Sequence, residues 1–295
     1  MEKLLIQGGH RLEGQIPISG AKNSALPALA ACLLTREPVK LDRIPRVRDI
    51  RTMEKLLSYT GANVEIDGAQ VRVQADDLNK PEAPYDLVKT MRASSLVLGP
   101  LVARTGRARV SMPGGCAIGS RPINLHVSAL EQLGAEIRTE HGYVEAVAPR
   151  GLRGTCVHFD RITVTGTEDL LMAATLAQGE TVIENAAREP EVQDLAALLV
   201  AMGARIDGAG TARVEIEGVD ELHPAEHCTV ADRIEAATYL AAVGLAGGEV
   251  TVLGAQAAHM DMTLEKLSLM GLRIEALIGG IHAGCEGRLA SVDFA

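Results

Sequence analysis

The sequence contains no tryptophan, two phenylalanines and four tyrosines in 295 residues, so aromatic rings cannot fill its interior. Alanine, leucine, valine and isoleucine must supply nearly all the buried apolar area, which calls for closely packed helices and strands. Positive charge is also short: 29 Lys and Arg stand against 38 Asp and Glu, a net charge of −9. A chain of that sign has no general attraction for nucleic acid or an anionic membrane, and an anionic ligand must be met by a local cluster of donors. No stretch approaches the roughly 18 apolar residues that span a bilayer. The opening MEKLLIQGGHRLEG has neither the apolar centre nor the cleavage site of a signal peptide, so a cytoplasmic protein is expected.

Other absences narrow the chemistry. The five cysteines are widely separated with no CxxC, which argues against a disulfide framework or structural zinc. His223, His227 and Cys228 come nearest to a metal cluster but lack a further ligand pair, and no metal is expected. There is no GxxxxGK(S/T) phosphate loop, and DGAGTA (Asp207 to Ala212) lacks the third glycine of a dinucleotide fingerprint. Triphosphate hydrolysis and hydride transfer are therefore unsupported.

What is present is a repeat. A helical stretch, then Gly-Ala or Gly-Leu, then a short strand, recurs around Gly61, Gly134, Gly203 and Gly271, at spacings of 73, 69 and 68 residues. The segment ATLAQGETVIENAAREPEVQDLAALLVAMGARI shows the unit cleanly. Its second helix opens at Pro190, carries Glu191 in the first turn, and repeats Leu195, Leu198, Leu199 and Met202 along one face before Gly203 supplies a left-handed cap. VEI (Val214 to Ile216) and VTV (Val250 to Val252) alternate as half-buried strands. The first helices of the units, LPALAACLL and LLMAATLA, are apolar all round, so they are expected inside with sheets outside. The tail after Cys285 reads as a strand with no second helix behind it.

Four segments break this grammar. ISGAKNSALP places Lys22 and Asn23 at the start of a buried helix, where free amides and a cation suit a phosphate or carboxylate, although a solvent-facing lysine explains it too. KTMRASS puts Arg92 at another apolar helix start, as an anion contact or a snorkelling side chain. In MPGGCAIGSRPINLH, Cys116 is framed by Gly114, Gly115 and Gly119 with Arg121 beyond it, which fits a reactive thiol better than a core position. Cys32, Cys156 and Cys285 read instead as inert, buried small hydrophobes. The fourth segment joins RITVTGTEDLLMAA to NAAREPE, where Glu189 and Glu191 stand at a helix start and read as structural caps.

Together SGAKN, PYDLVKTMRAS, PGGCAIGSRP, GTEDLLMAATLA, IENAAREPE and DRIE resemble the UDP-N-acetylglucosamine 1-carboxyvinyltransferase family of enolpyruvyl transferases, in register from about Leu4 to the end. The resemblance implies an α/β fold, an inside-out α/β prism of repeated units in two domains, with no metal and no tightly bound organic cofactor. It implies transfer of the enolpyruvyl group of phosphoenolpyruvate to the 3′-hydroxyl of UDP-N-acetylglucosamine, the first committed step of peptidoglycan synthesis. By that likeness Cys116 is the proton donor and the thiol alkylated by fosfomycin. Lys22 and Asn23 bind phosphoenolpyruvate, Arg121 meets phosphate, and Arg92 touches the nucleotide sugar. The stretches Arg121, Pro122, Ile123, Asn124, Leu125 and Arg161, Ile162, Thr163, Val164 hold the UDP portion, with Glu189, Glu191, Asp232 and Arg233 in support. The partners expected are these two small molecules, with no nucleic acid and no membrane.

The sequence also departs from the family pattern. RPINLH replaces RPVDLH, so Asn124 stands where a carboxylate is usual; Thr163 to Thr167 replaces SVGAT; and Ala231 replaces the proline before DRIE. The family's general-base aspartate, further arginines and last two repeat units would follow the present C-terminus. The expected division is a first domain over 21–230, complete, and a partial second domain from 1–20 plus 231–295. Two alternatives stay open: a shortened, non-catalytic paralogue that binds nucleotide sugar or a partner protein, and a shikimate-type transferase, against which the cysteine loop counts.

Overall fold

The computed structural model describes residues 3, 5, 7–89, 91–112 and 123–293, with Arg92 described in its backbone only. The chain divides into two compact units, one formed by Met1–Ala21 with Ala231–Ala295 and the other by Lys22–Val230.

One grammar runs through both. After β1 (Leu12–Pro17), the larger unit opens with α1 (Lys22–Ala31), β2 (Val39–Asp42), α2 (Arg48–Thr60), β3 (Asn63–Asp67) and β4 (Gln70–Gln74). Next come β5 (Glu82–Ala83), α3 (Tyr85–Val88), a 3-10 turn (Arg92–Val97), α4 (Leu98–Thr105), β6 (Arg107–Ser111), α5 (Asn124–Gln132), β7 (Glu136–Glu140) and β8 (Tyr143–Val147). A further repeat holds β9 (Cys156–His158), α6 (Val164–Ala174), β10 (Glu180–Glu184), α7 (Pro190–Ala201), β11 (Arg205–Asp207) and β12 (Arg213–Glu217). The chain then runs through β13 (Glu226–Cys228), α8 (Arg233–Ala246), β14 (Gly248–Leu253), α9 (Asp261–Leu269), β15 (Arg273–Leu277) and β16 (Gly280–Cys285).

Each repeat makes a four-stranded sheet of the same order: β13-β2-β4-β3, β5-β6-β8-β7, β9-β10-β12-β11 and β1-β14-β16-β15. The first strand in each order pairs parallel and the others antiparallel. In the larger unit the edge strand beside β2 comes from the far end, since Glu226 to Cys228 pair with Lys40 to Asp42. That pairing ties the unit's last segment to its first sheet.

The helices lie inside. In α1 every residue from Ser24 to Ala31 is buried, and in α6 every residue from Gly166 to Ala174. Alanine and glycine let the helix backbones approach, while Leu29, Leu33, Leu98 and Leu101, each 0–1% exposed, fill the remaining space. Full burial of such a side chain contributes about 1.5–3 kcal/mol. The strands alternate, with Val214 and Ile216 of β12 fully buried and Arg213 and Glu217 exposed. This is the inside-out α/β arrangement. The repeat glycines all take the left-handed conformation, with φ of 112° at Gly61, 91° at Gly134, 102° at Gly203 and 106° at Gly271, so a side chain there would be strained.

The smaller unit applies the grammar around one sheet. Its α8 is as apolar as α1 and α6, yet it buries a single stripe, Ala236, Leu240, Val243 and Gly244, and leaves Ile234 and Leu245 exposed. Three local expectations are corrected. Cys156 is exposed, because it precedes the inward Val157 on the edge strand β9. The last strand is β16, ending at Cys285, and 286–293 form no strand. Glu189 occupies the cap position of α7 without a side-chain capping hydrogen bond.

Candidate active site

The larger unit gathers helix N-termini. Lys22 and Asn23 are the first two residues of α1, as the sequence predicts. The Lys22 ammonium lies 3.2 Å from the carboxylate of Asp49 in the first turn of α2, and both side chains are partly exposed. One residue on, the buried Ser24 hydroxyl donates to Asp194 Oδ2 of α7. Asp194 also accepts from His227 Nε2 at 2.9 Å and from the Val230 amide at 3.3 Å. A carboxylate with only acceptor oxygens thereby fixes the start of α1 against α7 and the segment after β13.

Ile123 caps α5, whose first residues are Asn124, exposed, and Leu125, half-buried against the core. Thr163 caps α6, its hydroxyl oxygen accepting the Gly166 amide at 3.2 Å, while Val164 begins the helix and Arg161 and Ile162 are exposed just before it. His126 joins the two starts: its Nδ1 lies 3.2 Å from Asp169 Oδ2 and its Nε2 3.1 Å from Thr165 Oγ1. Thr167 in turn accepts the Ala187 amide at 3.1 Å, which brings the approach to α7 alongside. Hydrogen bonds thus link the start of α1 to α7, the start of α5 to α6, and α6 to the approach to α7, and the first-turn amides of a helix present partial positive charge suited to a phosphate.

Carboxylates crowd the same region. Glu168 is 1% exposed and its Oε1 has no partner among the described residues, nor has Oε2 of Glu189. Burial above all, then the charges of Glu191, Glu189 and Asp169, raise the Glu168 carboxyl well above its ordinary value, which favours its uncharged form. Among the described residues no group of three or more His, Cys, Asp or Glu could hold a metal ion.

Of the sequence-predicted set, Lys22 and Asn23 stand at the start of α1, Ile123, Asn124 and Leu125 at that of α5, Arg161, Ile162, Thr163 and Val164 before or at that of α6, and Glu189 and Glu191 at that of α7. Arg92 opens the 3-10 turn leading into α4, and its side chain lies outside the described residues. Cys116, Arg121 and Pro122 also lie outside them. Asp232 and Arg233 belong to the smaller unit, where Asp232 caps α8 by accepting the Ile234 and Glu235 amides at 2.9 and 3.0 Å. The reading of single segments missed Asp49, His126, Glu168, Asp169 and Asp194. His126 and the pair Glu168–Asp169 stood inside the quoted motifs RPINLH and GTEDLL, where polar residues at positions of an otherwise apolar helix were the available signal.

Comparison with known proteins follows the same lines. The family model for EPSP synthase (3-phosphoshikimate 1-carboxyvinyltransferase) matches residues 6–283. A UDP-N-acetylglucosamine 1-carboxyvinyltransferase of Solibacter usitatus is 60% identical over 294 residues, 99% of this chain and 70% of that protein. One from Acidobacterium capsulatum is 56% identical, over 99% of this chain and 68% of its own length. Among solved structures, the enolpyruvyl transferase NikO of Streptomyces tendae superposes with a TM-score of 0.84 at 25% identity, covering 95% of this chain and 67% of that one. EPSP synthase of Acinetobacter baumannii shares the fold, with a TM-score of 0.75 at 16% identity over 97% of this chain and 67% of its own. A repeat of buried helices under four-stranded sheets, a family match over residues 6–283 and this extent of identity lead to one conclusion: the chain belongs to the EPSP synthase family of enolpyruvyl transferases.

Proposed function

We propose that this chain transfers the enolpyruvyl group of phosphoenolpyruvate to the 3′-hydroxyl of UDP-N-acetylglucosamine and releases phosphate, opening peptidoglycan synthesis. The observation that carries the reading is 60% identity over 294 residues to a protein of that name. Both substrates are phosphate esters that do not cross a bilayer unaided, which puts the reaction in the cytoplasm. No described helix is long and apolar enough to cross a membrane.

The chemistry balances in two steps. The sugar oxygen bonds to C2 of phosphoenolpyruvate while a proton joins C3, making a methyl group and a tetrahedral centre. C3 then loses a proton, the bond from C2 to the phosphate oxygen breaks, and the enol ether and inorganic phosphate leave. Such a path needs an acid for C3, a base for the hydroxyl and donors for the accumulating negative charge. In this reading Cys116 gives the proton, Lys22, Asn23 and Arg121 hold the phosphoenolpyruvate anion, and Arg92 with the stretches 121–125 and 161–164 holds the UDP portion. Glu189, Glu191, Asp232 and Arg233 support them. The pairing of Lys22 with Asp49 restricts where its ammonium points before any substrate arrives. The domain division proposed with this function is 21–230 for the nucleotide-sugar domain and 1–20 plus 231–295 for the second.

The test is phosphate release with both substrates from the full-length form, or from the chain complemented by the C-terminal segment its relatives carry, beside calorimetric titration of UDP-N-acetylglucosamine. Release dependent on both substrates is expected. Saturable binding without release selects the non-catalytic alternative, competition by shikimate 3-phosphate selects the other acceptor, and absence of both binding and release overturns the reading.

A further inference from the structure

We infer that the buried pair His126 and Asp169 is a positioning device that holds the first turns of α5 and α6 at the spacing a nucleotide diphosphate needs; this rests on the UDP-sugar reading above. The two residues are 4% and 1% exposed, too deep to touch a ligand, yet His126 and its second partner Thr165 each adjoin a stretch assigned to the nucleotide. His126 follows Leu125, and Thr165, which it contacts at 3.1 Å, follows Val164.

Every polar side-chain atom of the pair is used. Asp169 Oδ1 accepts the Gly99 amide at 2.8 Å, and Oδ2 lies 3.2 Å from His126 Nδ1. With Asp169 Oδ2 as the acceptor, Nδ1 carries the hydrogen, and the arrangement that uses every atom has Nε2 accepting the Thr165 hydroxyl. Gly99 lets α4 press in: a Cβ there would stand 2.5 Å from the Asp169 carbonyl oxygen and 2.7 Å from Oδ1. Apolar packing between α5 and α6 is non-directional, whereas this line of hydrogen bonds sets a distance and an angle. A fully satisfied buried network of this kind rigidifies what it joins. His126 and Asp169 therefore act through the backbone amides and side chains at the two helix starts.

Three variants test it, with UDP-N-acetylglucosamine affinity by calorimetry, melting temperature, and long-range proton–nitrogen NMR of the His126 ring as readouts. The parent ring should carry its proton on Nδ1. Asp169→Asn keeps the shape, its amide oxygen still accepting from Gly99 and its amide nitrogen now donating to Nδ1. The proton then moves to Nε2, and affinity should stay within roughly threefold, while His126→Ala, which deletes the link, should weaken binding about tenfold, the equivalent of one lost buried hydrogen bond. A folded His126→Ala that binds like the parent overturns the inference, as does a ring proton that Asp169→Asn leaves in place. If His126→Ala does not fold, Thr165→Val, which deletes one hydroxyl from an exposed residue, takes its place: weakened binding is expected and parental binding overturns the inference. A parent chain that shows the stated tautomer but no affinity for UDP-N-acetylglucosamine overturns the UDP-sugar reading, and the positioning role falls with it.

Discussion

Replacing Glu168 by glutamine should change how stability depends on pH. Glu168 is 1% exposed, its Oε1 has no partner, and burial with three neighbouring acids raises its carboxyl well above the ordinary 4.5. In the unfolded chain the same group ionises near 4.5. Between that value and the raised folded one, the native state holds a proton that the unfolded state has lost, so stability is fully present below about pH 4.5 and declines as pH rises. One fully linked proton gives a slope of about −1.4 kcal/mol per pH unit across the window. Glutamine has the shape of the protonated acid and no titration, so Glu168→Gln removes this slope and leaves the contributions of all other groups in place. Urea denaturation of both proteins at half-unit steps from pH 5 to pH 8 reads the difference directly. The variant should gain on the parent as pH rises from the acid end, where it has little or no advantage, and the gain should level off once the folded carboxyl itself ionises. Curves that stay parallel over the whole range would mean that Glu168 is ionised in the native protein, and would refute the account of the buried acids.

Other outcomes follow from packing and exposure. Leu29→Ala, at a fully enclosed position, should cost about 2–5 kcal/mol in urea denaturation, while Leu245→Ala, 89% exposed, should be nearly neutral. Gly218→Ala would place a Cβ 1.6 Å from the Ala177 carbonyl oxygen and should destabilise by at least about 3 kcal/mol, whereas Gly134→Ala meets nothing within 4 Å and should cost only the left-handed strain, about 1–2 kcal/mol. Of the four cysteines described, Cys156 and Cys228 should react with a thiol reagent in the native protein, and Cys32 and Cys285 only after unfolding, with burial pushing the Cys32 thiol up; peptide mapping of labelled protein checks this.

Much of the fold was legible because the repeat is written in residues with local meaning. Gly61, Gly134, Gly203 and Gly271 each end a helix in a conformation that side chains resist, and Pro190 begins α7 where its missing amide costs nothing. The apolar stretches LPALAACLL and LLMAATLA, which run through α1 and α6, signalled an inside-out arrangement by having almost no polar face to show to water. Cys156 was misplaced because a three-residue edge strand is too short for its alternation to be read. The site was legible only at its helix starts, where Lys22 and Thr163 mark themselves by position. The bonds that fix those starts join residues far apart in sequence, 43 for His126 with Asp169 and 170 for Ser24 with Asp194, and no local pattern announces such a pairing. What a single segment does announce is a polar residue on an apolar helix, and each of these four is one.

The same bonds account for how a chain of net charge −9 can meet an anionic ligand at all. The attraction need not come from a surface of lysines. Each helix start carries roughly half a positive charge in its free amides, and the starts of α1, α5, α6 and α7 all lie in the larger unit. The carboxylates that pin them would oppose an anion if they were bare. They are not: Asp49 faces the Lys22 ammonium, Asp194 accepts from Ser24, His227 and Val230, and Asp169 from Gly99 and His126. Glu168, which has no such donor on Oε1, is pushed towards its uncharged form by burial and the neighbouring acids. Paired carboxylates of this kind take less from the positive potential of the helix starts than bare ones would, and that potential is fixed to the backbone rather than carried on a mobile side chain.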